Sequence, residues 1–232
     1  MKSLHLLSGG AAYGLVSQLE QRFADLTECR IAGQFGAVGL MREQLLGGAP
    51  CDVVLLTAAL MAQLEAEGRV VVGSTRALGR VKTGVAVKVG ETAPAVATPD
   101  ELAAALRQAS AIYFPDPLKA TAGIHFMNVL KQLGLDVELA QRLRVFPNGA
   151  TAMGEMARSN ESGLLGCTQV TEILYTPGVQ LVAALPQAFE LATVYSAGLS
   201  RGAQHSQAAM ELIALLSSAE AAPLRLAGGF EA

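Results

Sequence analysis

The sequence predicts an α/β protein built from two doubly wound lobes, and three observations carry that expectation. Short apolar runs alternate with stretches of helical periodicity from the amino end. A ten-residue segment of two-residue alternation, Arg80 to Val89, interrupts this rhythm. The rhythm then restarts and runs for about a hundred residues. Alternating strands and helices imply a largely parallel sheet covered on both faces.

The elements follow in order. Leu4–Leu7 is an apolar run that ends in Ser8-Gly9-Gly10-Ala11-Ala12, and Leu15, Leu19 and Phe23 recur at helical spacing after it. Arg30 to Phe35 reads as a second strand, and Gly36 to Gly39 as a small-residue turn. A helix carrying Leu40, Met41 and Leu45 is stopped by Gly47-Gly48-Ala49-Pro50. Asp52 to Leu56 is a buried-strand run leading to a helix near Ala58 to Glu67. After the alternating segment come a helix from Pro99 to Arg107 and a strand from Ala111 to Phe114. A loop from Pro115 to Gly123 follows, then a helix from about Ile124 to Leu133. Val145-Phe146 is a short strand, Pro147 to Thr151 a loop, and a helix runs on to Arg158. Gly163 to Cys167 is a strand, Thr168 to Leu174 a short helix, and Val179 to Ala184 a strand. Thr193 to Gly198 reads as a second crossing, followed by a closing helix from about Ala203 to Leu216. This pattern divides the chain into a first lobe of residues 1–82 plus 194–232 and a second of 83–193. The ligand is then expected in the cleft between them, with hinged closure.

Composition removes several function classes. Charged residues make up 16% of the chain, below the ~25% of an average soluble protein, which excludes a polyelectrolyte or disordered chain. The net charge is −3 and the 17 basic residues form no run, so nucleic acid is not an expected partner. Cys29, Cys51 and Cys167 have neither CxxC spacing nor an even count, and His5, His125 and His205 lie far apart. No metal and no cofactor is expected. No apolar run approaches the ~20 residues that span a bilayer, and the amino end is too short in apolar residues for a secretory signal. As written the chain is expected to be cytoplasmic, or periplasmic if a leader has been removed.

Four loops share one design, a strand end followed by Gly, Ala, Ser or Thr and a helix start: Ser8–Ala12, Gly36–Gly39, Lys119–Gly123 and Gly149–Thr151. A helix head carries N–H groups without intrahelical partners and about half a positive charge, and small residues let an anion approach it. Four such heads would hold a small, multiply charged anion without an arginine. Nucleotide fingerprints are absent: Gly9-Gly10-Ala11-Ala12-Tyr13-Gly14 lacks the GxGxxG spacing, and neither GxxxxGK[ST] nor GxSxG occurs.

The segment Gly48-Ala49-Pro50-Cys51-Asp52-Val53-Val54, the Asp116-Pro117 loop with Ala122-Gly123, and the late crossing strand resemble type II periplasmic binding proteins, in particular the molybdate-binding branch. The resemblance spans nearly the whole chain and implies a two-lobed fold with an anion in the cleft. It aligns the branch's two serine hydroxyls with Ala11 and a position near Val38, and a late tyrosine with Thr168. Both hydroxyls are missing here, which disfavours molybdate. Gly123-Ile124-His125-Phe126, Gln169 to Leu174 and Thr193 to Gly198 are similar to the branch containing bacterial aconitate isomerases, which implies an allylic proton shift between trans- and cis-aconitate.

The expected ligand-binding residues are Ser8, Gly9, Gly10, Ala11, Val38, Gly39, Thr121, Ala122, Gly123, Asn148, Gly149, Ala150, Thr151, Thr168 and Gln169. An isomerase needs a positioned base, for which His125 comes first, with Lys119 and Tyr195 next and Glu172 as a further candidate. Each also has a plainer reading: His125 as a hydrogen-bonded packing residue, Tyr195 as core, Lys119 as a loop charge and Glu172 as part of a solvated helix face. Arg42 suits either an anion or an exposed helix side, and Asp52 and Asp116 suit backbone hydrogen bonds at strand ends. Two functions stay open: an aconitate isomerase-like enzyme, and a non-enzymatic receptor for a carboxylate or oxyanion that serves an ABC transporter if exported.

Overall fold

The computed structural model describes residues 2–232. In chain order the strands and helices are β1 (Lys2–Gly9), α1 (Tyr13–Thr27), β2 (Cys29–Gly36), α2 (Val38–Leu46), β3 (Val53–Thr57), α3 (Ala58–Ala66) and β4 (Arg76–Lys88). Then come α4 (Pro99–Gln108), β5 (Ala111–Pro115), α5 (Thr121–Gln132), β6 (Leu143–Phe146), α6 (Gly149–Arg158), β7 (Leu164–Gln169) and α7 (Val170–Tyr175). The chain closes with β8 (Val179–Ala184), β9 (Ala192–Leu199), α8 (Ser206–Ser217) and α9 (Ala222–Ala227). None of the helices among the described residues is long and apolar enough to cross a membrane.

The chain forms two compact units. One ends at Val81 and resumes at Thr193–Ala232; the other is Lys82–Ala192. In the first, the strand order is β2-β1-β3-β9, with β1 parallel to β2 and β3 and β9 antiparallel to β3. Every residue of β3 is buried, as a central strand with both faces covered requires. Asp52 fastens this unit. Its carboxylate accepts the backbone N–H of His5 (2.8 Å), Gln204 (2.7 Å) and His205 (2.9 Å), so one buried side chain ties β1 to the start of α8.

In the second unit β5 lies parallel to β6 and β7, while β4 runs antiparallel to β7 and β8. Strand alternation sorts its core into two faces. Ile112 and Phe114 pack with Leu102, Leu106, Phe126 and Leu130, whereas Ala111 and Tyr113 pack with Met153 and Met156. Helices thus cover both faces, as the doubly wound expectation requires.

Boundaries at the expected site residues differ from the sequence reading. The small residues Thr121–Gly123 and Gly149–Thr151 are not loop but the first turns of α5 and α6. Thr168 and Gln169, expected to open a helix, instead end β7.

Candidate functional site

The four glycine-rich turns are alike in sequence but not in chemistry. Where β1 passes to α1, Gly10–Ala12 forms a single 3₁₀ turn without a side-chain cap. Helix α2 starts after Ala37 and α5 after Ala120, again with no capping side chain. An alanine at the N-cap leaves the first-turn N–H groups with only solvent or a ligand to accept them.

Helix α6 is different. Asn148 Oδ1 accepts the Thr151 N–H at 2.8 Å and lies 3.0 Å from its hydroxyl. Glu172 supplies a second acceptor, for its carboxylate takes the backbone N–H of Ala150. Asn148 and Thr151, expected to touch a ligand, form a helix cap.

Glu172 does not lie on a solvated face. It is 5% exposed, and its Oε2 accepts the Thr168 hydroxyl at 2.5 Å and its carboxylate also accepts the Gln169 N–H. The reason is local: Glu172 is the third residue of α7, a position from which a side chain reaches back over the helix start, here to the Gln169 N–H and on to the head of α6. Gly149 makes room for it, because a Cβ there would collide with Thr168 Oγ1 and Glu172 Oε2. Burial pushes the Glu172 carboxyl from 4.5 up to about 7, against the pull of the Thr168 hydroxyl and the two amides. The Thr168 hydroxyl is thereby committed to Glu172.

The remaining candidates fall into place as follows. Ser8 is fully buried and its hydroxyl donates to the Gly9 carbonyl at 2.9 Å. Gly9 packs against Val38 and the ring of Tyr195, so these three residues meet in the first unit; Tyr195 is buried at 2% exposure. Ala11 is buried beside them in sequence, and Gly39 is half-buried at the second position of α2. Arg42 pairs with Glu67 at 2.6 Å, while its Nε is buried without a partner. Lys119 is exposed on a turn that Asp116 holds by accepting the N–H of Leu118 and Lys119. His125 lies in the second turn of α5, not the first, and its Nε2 sits 2.7 Å from the Phe189 carbonyl.

Gln169 stands out. Its side chain is 3% exposed, and neither Nε2 nor Oε1 has a partner. It ends β7 at the carboxyl edge of the parallel strands, the edge at which β5 gives way to α5. Gly123 presses α5 onto that same edge: a Cβ there would strike the carbonyl oxygens of Pro115 and Asp116. Buried polar groups ordinarily find partners, so an unpartnered amide beside an uncapped helix head is what a polar ligand would complete. The three cysteines are buried and free, and burial raises the thiols of Cys51 (to about 12) and Cys167, which makes both poor nucleophiles. No cluster of His, Cys, Asp and Glu among the described residues could hold a metal ion.

Comparison with known proteins places the fold and the family. The chain is 26% identical over 226 residues to an aconitate isomerase from Pseudomonas sp, covering 95% of this chain and 84% of that protein. The periplasmic molybdate-binding protein of Azotobacter vinelandii superimposes with a TM-score of 0.81 over 99% of each chain at 19% identity. The sulfate-binding protein SubI of Mycobacterium tuberculosis does so with a TM-score of 0.76 over 99% of this chain and 86% of that one, at 16% identity. The fold is therefore that of the type II periplasmic binding proteins, as the sequence resemblance implies. A family model for bacterial extracellular solute-binding proteins matches residues 4–231. The chain belongs to the bacterial extracellular solute-binding protein family.

Proposed function

We propose that the protein binds a small polycarboxylate anion through uncapped helix heads, foremost that of α5, and interconverts trans- and cis-aconitate. The observation that carries the binding is the buried, unpartnered Gln169 at the same sheet edge as the α5 head. Gly9, Gly10, Ala11, Val38 and Gly39, expected from the sequence to touch a ligand, lie at turns of the first unit that lack a side-chain cap. The self-capped head of α6, with Asn148, Gly149, Ala150 and Thr151, contributes least.

The isomerisation is supported by similarity to the aconitate isomerase along nearly the whole chain. A base takes a proton from the methylene carbon of the substrate, and the electron pair spreads through the double bond toward the far carboxylate. The same group then returns the proton at the other allylic carbon, so nothing is gained or lost. Helix-head amides stabilise the developing dienolate. His125 suits the base. A carbonyl can only accept, so Nε2 donates to Phe189, and Nδ1 is the nitrogen that takes the proton when the ring is neutral.

Incubation with trans-aconitate, followed by proton NMR, should show cis-aconitate accumulating. In His125→Ala, turnover should fall by at least about 100-fold, within the range general-base catalysis contributes, with trans-aconitate affinity held. Saturable binding without turnover in the native protein would make it a non-enzymatic solute receptor, the reading its family favours. Undiminished turnover in His125→Ala would remove His125 from the chemistry.

A further inference from the structure

Six buried side-chain nitrogen and oxygen atoms among the described residues lack a partner, and four of them belong to Thr83, Gln169 and Thr171. The β-ladder explains how two of these residues come together. Thr83 of β4 stands directly opposite Gln169 of β7 in an antiparallel pair, so both side chains leave the sheet on the same face. Along that face Val85 and Val87 follow Thr83, and Cys167 and Leu165 precede Gln169. These four residues pack with Phe126, Val129 and Leu130 of α5. An otherwise apolar face therefore ends in three bare polar atoms: Thr83 Oγ1, Gln169 Nε2 and Gln169 Oε1. Thr83 is 1% exposed. A valine would continue the pattern of its strand and complete the core.

The donor and acceptor count says what belongs there. Gln169 Nε2 can only donate and Oε1 can only accept, while the Thr83 hydroxyl does both. A fully ionised carboxylate or tetrahedral oxyanion has no hydrogen to give, so it would leave Oε1 bare in a buried place. A hydroxyl both accepts from Nε2 and donates to Oε1 or to Thr83. We infer that Thr83 and Gln169 form a subsite for the hydroxyl group of a hydroxycarboxylate, whose carboxylates are taken by the neighbouring α5 head. This rests on the anion-binding reading above and extends it from unsaturated to hydroxylated polycarboxylates. An unsaturated tricarboxylate meets the same three atoms only through a trapped water.

Citrate and tricarballylate differ by one hydroxyl and test the subsite directly. Isothermal titration should give citrate at least about tenfold tighter binding, the size of a direct hydrogen bond gained in place of an immobilised water. That ratio should collapse to about twofold or less in Thr83→Val and in Gln169→Leu. Thr83→Val keeps the β-branched shape, so the fold is retained, and its circular dichroism and melting temperature verify this. Equal affinity for the two compounds in the native protein, or a ratio untouched by both variants, would overturn the subsite and leave anion binding standing. If neither compound binds at millimolar concentration while the protein is folded, the anion-binding reading fails and the subsite with it.

Discussion

Gly123→Ala is expected to destabilise the protein by about 3 kcal/mol, the upper part of the range for forced overpacking, and to weaken trans-aconitate binding by more than about tenfold. The Cβ that alanine introduces would fall on the carbonyl oxygens of Pro115 and Asp116. Both obstacles are backbone, so no side chain can swing aside. The Asp116 carbonyl also accepts the Ala120 N–H at 3.1 Å, which holds the entry to α5. Relief of the clash must lift the head of α5 from the end of β5 and re-aim its first-turn amides. Denaturant unfolding and calorimetric titration would read the two effects separately. An alanine variant with native stability and native affinity would mean that the α5 head neither packs nor binds as described.

The second large effect is a pH dependence. Folding raises the Glu172 carboxyl from 4.5 to about 7 because burial disfavours its ionised form. Between these values the folded chain binds more of this proton than the unfolded chain, so stability falls as pH rises. The contribution is fully present below pH 4.5 and is lost by the time pH has passed about 7. A shift of this size corresponds to about 3 kcal/mol. Glu172→Gln removes the titration while keeping an oxygen to accept the amides of Ala150 and Gln169. Stability of the variant minus that of the native protein should therefore rise by about 3 kcal/mol between pH 4.5 and pH 8. A difference that stays flat would show that this carboxyl titrates normally.

Much of the fold was legible in the sequence because it is written in local patterns. The runs at Leu4–Leu7, Asp52–Leu56 and Ala111–Phe114 locate β1, β3 and β5, and the alternation at Arg80–Val89 marks the long β4. Asp52 and Asp116 were legible as acceptors of backbone N–H groups. The start of α5 was not, since Ala120 carries none of the side chains that announce a helix. Yet that silence is the feature that leaves its amides open. Asn148 did carry the signal of a capped head, which separates α6 from the other turns. The burial of Glu172 depends on α6 and α7 meeting across β7, a relation between segments about twenty residues apart that no periodicity records. Thr83 left a fainter trace, a threonine on a strand face continued by Val85 and Val87. Its meaning needed the register that sets it opposite Gln169.

Residue-resolved amide spectra recorded during a titration with trans-aconitate test the central claim most directly. Saturable shifts should be largest at the backbone amides of Thr121, Ala122 and Gly123 and at the side-chain amide of Gln169, with Ala150 and Thr151 of the self-capped helix moving less. Saturable binding that leaves Thr121–Gly123 and Gln169 unmoved would contradict it.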